Sequence, residues 1–280
     1  MPAPRELVIA RLQEQARTQG PLPPLLAFYQ HLAALQVEVG HCIRVPIAVP
    51  APPVARASAD AGRPLITDTD LAVDWALLRQ TYQRVVALFA NHAPLFGTLP
   101  AAITSLTPGR VINRRTLRAW WRGRGIVLPV PVADTQQPLL RGVFHAAITP
   151  FLTRHAAAVA AAMDVDTWRR GYCPACGGNP DFAYLHRETT ARWLVCSRCD
   201  TPWVYQRLQC PYCANQDQNK LAFFTDEPGR YRLYVCDACH RYLKAVDLRQ
   251  APAEPLFALE RLLTLDLDQQ AQARGYRPAA

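Results

Sequence analysis

Paired cysteines dominate the chemistry that this sequence could perform. Eight of its nine cysteines lie between residues 173 and 239, and all eight occur in Cys-x-x-Cys pairs. Two sulfurs at this spacing lie on one tight turn, from which both can bind the same metal ion. The pairs are Cys173 with Cys176, Cys196 with Cys199, Cys210 with Cys213, and Cys236 with Cys239. This pattern predicts metal binding through thiolate ligands.

Consecutive pairs are expected to share a metal ion. A tetrahedral sulfur site commonly takes two ligands from each of two turns, and the stretches 177–195 and 214–235 leave room for a hairpin between the turns. We therefore expect two rubredoxin-like or zinc-ribbon sites. Site one consists of Cys173, Cys176, Cys196 and Cys199, and site two consists of Cys210, Cys213, Cys236 and Cys239. An interleaved pairing of the turns is topologically allowed but needs longer connections.

General chemistry limits the identity of the metal and argues against other uses of the thiols. Tetrahedral sulfur sites accept zinc or iron, so we expect two ions of iron or zinc. A thioredoxin-like redox pair requires a βαβ pattern around one pair, and no such pattern surrounds any of them. Disulfides are disfavoured in a reducing compartment such as the cytoplasm.

No residue is a candidate for catalysis. Four cysteines fill each expected site and leave no open position for water or substrate, so such a site holds structure or passes single electrons. The sequence contains no Walker loop, dinucleotide fingerprint, nucleophile elbow or histidine metal motif. The pairs Asp164 with Asp166 and Asp266 with Asp268 lack the accompanying groups that acid–base chemistry requires. We predict that the protein is not an enzyme.

Three further features have both a structural and a functional interpretation. The lone Cys42 is expected to be a buried thiol. His240 follows Cys239, but that site is already filled by sulfur, so we expect a surface position or an outer contact to the site. Arginines cluster around Trp120 and Trp121. We favour a solvated basic stripe beside a buried tryptophan over a binding site for an acidic partner. The arginines of that stripe are Arg110, Arg114, Arg115, Arg118, Arg122 and Arg124.

The composition indicates a folded chain without membrane spans. Of 280 residues, 50% are hydrophobic and 19% are charged, which excludes a largely disordered protein. The formal net charge is +9, but two four-thiolate sites with divalent ions would lower it to about +5, which weakens the case for a nucleic-acid partner. Residues 1–15 lack the apolar stretch of an export signal, and the apolar run 156–163 is shorter than a membrane span. We expect a cytoplasmic protein.

The elements that must position the cysteines change character near Trp168. Apolar residues before it recur at helical spacing and predict helices within 3–40, over 115–122, over 138–163, and one beginning at Asp68 or Asp70 and ending near Pro94. The proline-rich stretch 46–64 is expected to be an extended loop. After Trp168, short alternating runs predict strands at 192–195, 203–208, 221–224, 231–235 and 242–246, and a helix follows over about 255–273.

The expected fold class is therefore α+β with several domains. An N-terminal all-α domain covers 1–166 and is followed by two tandem rubredoxin-like or zinc-ribbon β modules at 167–208 and 209–250. A C-terminal helix covers 251–280. The helical part can build its own core, whereas each module of about 40 residues needs its metal to fold.

The neighbours of the cysteines resemble those of the formate dehydrogenase accessory protein family FdhE. The string Tyr172-Cys-Pro-Ala-Cys-Gly-Gly-Asn-Pro180 is similar to the first knuckle of that family, with Gly178 in place of a frequent serine. The likeness continues through 192–203, 210–213 and 236–244, and spans about 168–276. Four pairs with these neighbours are far more specific than a single Cys-x-x-Cys.

This resemblance implies a function. FdhE-like proteins are cytoplasmic maturation factors that bind the catalytic subunit of respiratory formate dehydrogenases before export, and the resemblance implies that the eight paired cysteines carry rubredoxin-type metal. Two other functions stay open from the residues. One is a nucleic-acid-binding tandem zinc-ribbon protein, and the other is a rubredoxin-like electron carrier. The sequence marks no partner-binding surface, and a two-fold homodimer is a reasonable default.

Overall fold

The computed structural model describes residues 4–251 and 255–279. The chain forms two compact units, the first from Met1–Ile47 and Asp68–His155 and the second from Ala48–Thr67 and Ala156–Ala280. The α-helices are α1 Pro4–Gln19, α2 Pro24–Cys42, α3 Pro52–Asp60, α4 Trp75–Ala90, α5 Ala93–Phe96, α6 Ala101–Thr104, α7 Pro108–Val111, α8 Arg114–Trp121, α9 Gln137–Val159, α10 Phe257–Leu263 and α11 Leu265–Ala273. The strands are β1 Pro180–Leu185, β2 Arg192–Cys196, β3 Pro202–Tyr205, β4 Leu221–Thr225, β5 Tyr231–Cys236 and β6 Arg241–Asp247.

The first unit is built from helices whose apolar stripes face one another. Phe28 of α2 contacts Phe89 of α4 and Phe96 of α5, with ring centroids 4.9 and 4.6 Å away. The ring of Trp120 in α8 lies 5.4 Å from the ring of Phe144 in α9. The helices predicted within 3–40 and over 115–122 and 138–163 are confirmed, and they supply this core without metal.

Helix α9 continues through Pro150 because another helix replaces the lost hydrogen bond. A proline inside a helix leaves the carbonyl four residues earlier without its usual N–H donor, and here that carbonyl belongs to Ala146. The buried side chain of Gln36 in α2 donates from Nε2 to this carbonyl oxygen across 2.9 Å. The buried backbone group is thus satisfied.

Two local predictions are wrong. Residues Pro52–Asp60 form helix α3 instead of an extended loop, because prolines occupy the first turn, where a helix has no use for their missing N–H. Asp74, and not Asp68 or Asp70, is the N-cap of helix α4. The Oδ1 atom of Asp74 accepts hydrogen bonds from the backbone N–H groups of Ala76 and Leu77, each across 3.0 Å.

The second unit contains a six-stranded sheet in the order β3-β2-β1-β6-β5-β4. The first three strands frame the first two cysteine pairs and the last three frame the others. Within each group neighbouring strands are antiparallel, whereas β1 and β6 pair in parallel and join the two groups. The alternation of apolar residues does not predict β1, which is buried at Pro180, Phe182, Ala183 and Leu185. The division of this half into separate modules at 167–208 and 209–250 stays a prediction.

The C-terminal segment forms two helices, α10 and α11, where the sequence predicts one. Residues 252–254 and 280 of the predicted segment lie outside the described residues. Lys244 of β6 is 5% exposed, and its Nζ donates to the Thr264 carbonyl across 3.2 Å and to Asp268 Oδ2 across 2.5 Å. Asp268 therefore holds α11 against the sheet.

In the described part of the chain, no helix combines the length and the apolar character needed to cross a bilayer.

Candidate metal centres

Each cysteine pair lies on a tight turn next to a strand. Cys173 and Cys176 precede β1, whereas Cys196 ends β2 and Cys199 precedes β3. The second half repeats this plan. There, Cys210 and Cys213 lie ahead of β4, Cys236 ends β5 and Cys239 precedes β6. Strand pairing therefore fixes the distance between the turns.

The four turns share one backbone geometry. The residue after the second cysteine of each pair has a left-handed φ, and its N–H donates to the carbonyl oxygen of the first cysteine. These residues are Gly177 with φ 68°, Asp200 with φ 61°, Ala214 with φ 57° and His240 with φ 52°. Only glycine adopts this conformation without steric cost. Three turns therefore hold a strained residue, which is a feature of functional sites.

The first two turns bring four sulfurs together. Cys173 Sγ lies 3.6 Å from Cys199 Sγ, and Cys176 Sγ lies 3.5 Å from the Sγ atoms of both Cys196 and Cys199. The last two turns do the same, because the Sγ distances from Cys210 to Cys239 and from Cys213 to Cys236 are both 3.7 Å. The sequence predicts these same two groups, each of which has all its sulfurs within 4.8 Å of one another.

These distances fit a tetrahedral metal site. With a zinc–sulfur distance of about 2.3 Å, the sulfurs of a regular tetrahedron lie about 3.8 Å apart. A disulfide would bring them to about 2.05 Å, and all nine cysteines are free thiols. Among the described residues, both groups contain cysteine alone. Two metal ions in four-cysteine sites account for this geometry, and such closed sites leave no position for a substrate.

The two sites differ in their exposure to solvent. No cysteine of site one exceeds 4% exposure, which Cys199 reaches. In site two, Cys213 is exposed and Cys239 is half-buried. Burial raises the pKa of the Cys173 thiol, and burial also raises the pKa of the Cys239 thiol to about 11. Buried thiolates are therefore unfavourable without a cation nearby, and a divalent ion supplies that compensation.

Close contacts surround the sulfurs of site one. A Cβ added to Gly178 would lie 2.9 Å from Cys196 Sγ, so a larger residue here would require the neighbouring side chains to shift. The Arg198 N–H donates to Cys196 Sγ across 3.3 Å, and Thr201 Oγ1 lies 3.1 Å from Cys199 Sγ. Hydrogen bonds of this kind orient thiolate ligands and stabilise their charge. Of these contacts with the sulfurs, only the close approach at Gly178 is indicated by the sequence.

Helix α10 is joined to site one by Arg261. Its guanidinium donates to Asp181 at 2.8 Å, to Asp200 at 2.7 Å and to the Cys196 carbonyl at 3.0 Å. Asp200 is the strained residue of the second turn. Arg261 therefore fixes the turn that carries Cys196 and Cys199, a role that its place in a leucine-rich helix does not indicate.

We expect the metal of site two to leave faster than the metal of site one. Exposure of Cys213 lets a chelator reach the coordinating sulfur, whereas the protein shell shields site one. Zinc-loaded protein mixed with a chromophoric chelator should release metal in two phases that differ in rate by roughly tenfold or more. The Cys213→Ser variant assigns the fast phase to site two. A single phase for both ions would contradict this expectation.

Other residues singled out by the sequence lie elsewhere. The prediction for Cys42 is wrong, because this thiol is exposed at the end of α2. His240 is exposed, as expected. All six arginines near Trp120 are exposed while that tryptophan is buried, as predicted for a solvated stripe. Arg118 of this stripe pairs with Asp68 across 2.9 Å.

Comparison with known proteins shows what this chain is similar to. Residues 172–207 match a family model described as "FdhE, central domain". A protein described as "Protein FdhE homolog" from Aquifex aeolicus is 34% identical over 116 residues, which cover 40% of this chain and 40% of that protein. A homologue with the same description from Rhizobium meliloti is 27% identical over 276 residues, which cover 95% of this chain and 85% of that protein.

The fold is shared with a solved structure over almost the whole chain. The crystal structure of the FdhE protein from Pseudomonas aeruginosa matches with a TM-score of 0.65 and 22% identity, and the match covers 98% of this chain and 92% of that one. The match to the Aquifex relative spans well under two thirds of that protein's length, and the match to a Shewanella oneidensis relative spans 36% of its length. The family model covers the turns of site one, and the likeness to the solved structure extends over the remaining helices. The chain is thus similar to FdhE proteins in sequence around the turns of site one and in overall fold.

Proposed function

We propose that this protein is a cytoplasmic accessory protein that binds the catalytic subunit of a respiratory formate dehydrogenase and assists its maturation before export. Similarity to the FdhE central domain and to FdhE homologues is the observation that carries this proposal. The protein acts by binding and not by catalysis. Closed sulfur sites suit this role because they brace a surface and do not activate water or substrate.

The eight paired cysteines are the proposed ligands of two ions of iron or zinc. Site one would be held by Cys173, Cys176, Cys196 and Cys199, and site two by Cys210, Cys213, Cys236 and Cys239. When bound, each ion cross-links two turns. The residues around the ions orient the sulfurs, shield site one from water and tie α10 to the sheet through Arg261. The second unit thereby becomes a rigid surface for a client.

Co-purification tests the proposed partner. Tagged, metal-loaded protein expressed together with a formate dehydrogenase catalytic subunit should enrich that subunit from the extract. Binding has to be reversible, because the client must leave for export, so mild cross-linking before lysis preserves the complex. Absence of enrichment with both metals in place would contradict the proposal.

Two cysteine variants separate metal dependence from a general loss of thiols. Cys213→Ser removes a ligand of site two and should reduce enrichment of the catalytic subunit. Cys42→Ser removes an exposed thiol outside both sites and should leave enrichment unchanged. Equal losses in the two variants would argue against a role for the metal.

A further inference from the structure

A buried arginine lies beside site two without a carboxylate partner. Arg192 begins β2 and is 3% exposed. No aspartate or glutamate among the residues placed by the structure forms an ion pair with it. An arginine in the interior is unfavourable unless nearby negative charge compensates for its lost hydration. We therefore expect a negatively charged group near Arg192.

The direct contacts of Arg192 are neutral. Its guanidinium donates to the backbone carbonyls of Gln206 and Gln209, and the bond to Gln209 is 2.5 Å long. Its Cζ lies 5.5 Å from the ring centroid of Tyr205 and 5.4 Å from that of Tyr234. The buried Nε has no hydrogen-bond partner among the described atoms. These contacts hold the guanidinium in place but do not neutralise it.

Site two lies immediately next to this guanidinium. Gln209 directly precedes Cys210 in the sequence. Tyr205 stands opposite Arg192 in the β2–β3 pair and donates from its hydroxyl to the Cys210 carbonyl across 3.3 Å. Arg192 also lines a small cavity of about 40 Å³ together with Cys210 and Cys236. The described lining of this cavity contains no aspartate or glutamate, so the thiolates of site two are the source of negative charge that it offers.

The charge of a metal-loaded site two complements Arg192. Four thiolates around a divalent ion carry a net charge of about −2. We propose that Arg192 is the counter-charge of site two and that it sets the affinity of this site for a divalent ion. This inference rests on the proposed ligation of metal by Cys210, Cys213, Cys236 and Cys239.

Arg261 provides a matched control in the same unit. It is also largely buried and also touches a cysteine turn, through the Cys196 carbonyl. Its charge, however, is balanced by Asp181 and Asp200. Removal of Arg261 should therefore disturb the turn of site one and leave the affinity of site two unchanged.

Zinc competition with a chromophoric chelator tests the proposal on the full-length protein. Site two is identified by its loss in Cys213→Ser. We expect Arg192→Gln and Arg192→Met to lower the zinc affinity of site two about tenfold or more, with site one unchanged. Arg192→Lys keeps the positive charge but not the two carbonyl bonds, and should retain much of the affinity. Equal losses in the lysine and neutral variants would assign Arg192 a purely structural role and overturn the proposal.

The reduction potential of iron-loaded protein is a second measurement, which a purely structural role of Arg192 would leave unchanged. The ferrous form of a four-thiolate site carries one more negative charge than the ferric form, so loss of a nearby cation should lower the reduction potential of site two. Arg207 lines the same cavity but is exposed, and Arg207→Gln should leave that potential unchanged.

The outcomes separate this inference from the proposal on which it rests. Circular dichroism checks the folding of each variant. If only one of Arg192→Gln and Arg192→Met folds, that variant alone is enough for the test. A wild-type protein that binds no metal at site two would overturn the ligation itself. Two metals per chain with unchanged affinity and potential in Arg192→Gln would overturn the role of Arg192 alone.

Discussion

Removal of both metal ions unfolds the sheet of the second unit while the helices of the first unit stay protected. A metal ion between the sulfurs is the proposed cross-link of each pair of cysteine turns, and structural zinc in small domains contributes about 10–16 kcal/mol of apparent binding free energy at neutral pH. Without that contribution, buried thiols and strained turns remain with no compensating interaction. We expect hydrogen exchange protection to disappear across β1 to β6.

The first unit has no such dependence on metal. The side chains of Leu12, Leu78, Phe144 and Phe151 are at most 1% exposed, so its core is apolar and closed. Its single cysteine, Cys42, is exposed and lies outside both sites.

Hydrogen exchange with mass spectrometry during a chelator titration resolves the two units. Loss of protection should occur first near site two, then near site one, and α1, α2 and α4 should be affected last. Readdition of zinc should restore the sheet. Simultaneous loss in both units, or a sheet that survives complete removal of metal, would refute the expectation.

Replacement of Asp247 by alanine destabilises the second unit by about 3 kcal/mol, because it leaves buried positive charge unpaired. Asp247 ends β6, is 1% exposed, and accepts hydrogen bonds from Arg232 at 2.8 Å and Arg249 at 2.5 Å. Arg232 is itself only 14% exposed. Urea unfolding of the zinc-saturated protein measures the loss. Asp266→Ala, at an exposed carboxylate, is the matched control and should change stability by less than about 0.5 kcal/mol.

The ion pair of Asp247 with Arg249 also makes the stability of the second unit depend on pH. The hydrogen bond from Arg249 holds the pKa of Asp247 below its usual range, against the opposing effect of burial. A carboxylate with a lowered folded-state pKa contributes its full stability above the unfolded value of about 3.9 and loses it as pH falls through the folded-state pKa. The difference in stability between zinc-saturated wild type and Asp247→Ala should therefore be constant between about pH 6 and pH 8, where the thiolate sites keep their metal. A difference that changes across this range would count against this ion pair.

Local sequence patterns predict the turns and helices, because each of these depends on a few neighbouring residues. The spacing of Cys173 and Cys176, and of the three other pairs, predicts both groups of thiols because a tight turn is a local structure. Helical periodicity predicts α2 and α9 for the same reason. Where one turn residue or one cap decides the outcome, as at Pro52 and Asp74, the same patterns mislead about the element or its boundary.

Long-range packing decides the features that the sequence does not indicate. The exposure of Cys42 and Cys213 follows from which distant segments cover a position, and no neighbouring residue encodes it. The parallel pairing of β1 with β6 joins residues about 60 positions apart. Contacts between distant segments likewise place Arg192 beside site two and Arg261 beside site one.

The sequence by itself determined that this chain carries two four-thiol groups on paired turns and that helices precede them. Both follow from residue types and spacings within a single turn or helix. The tertiary structure alone decided which site is open to solvent and which buried arginine stands next to it. Burial and electrostatic compensation depend on segments that are far apart in the chain and adjacent only after folding.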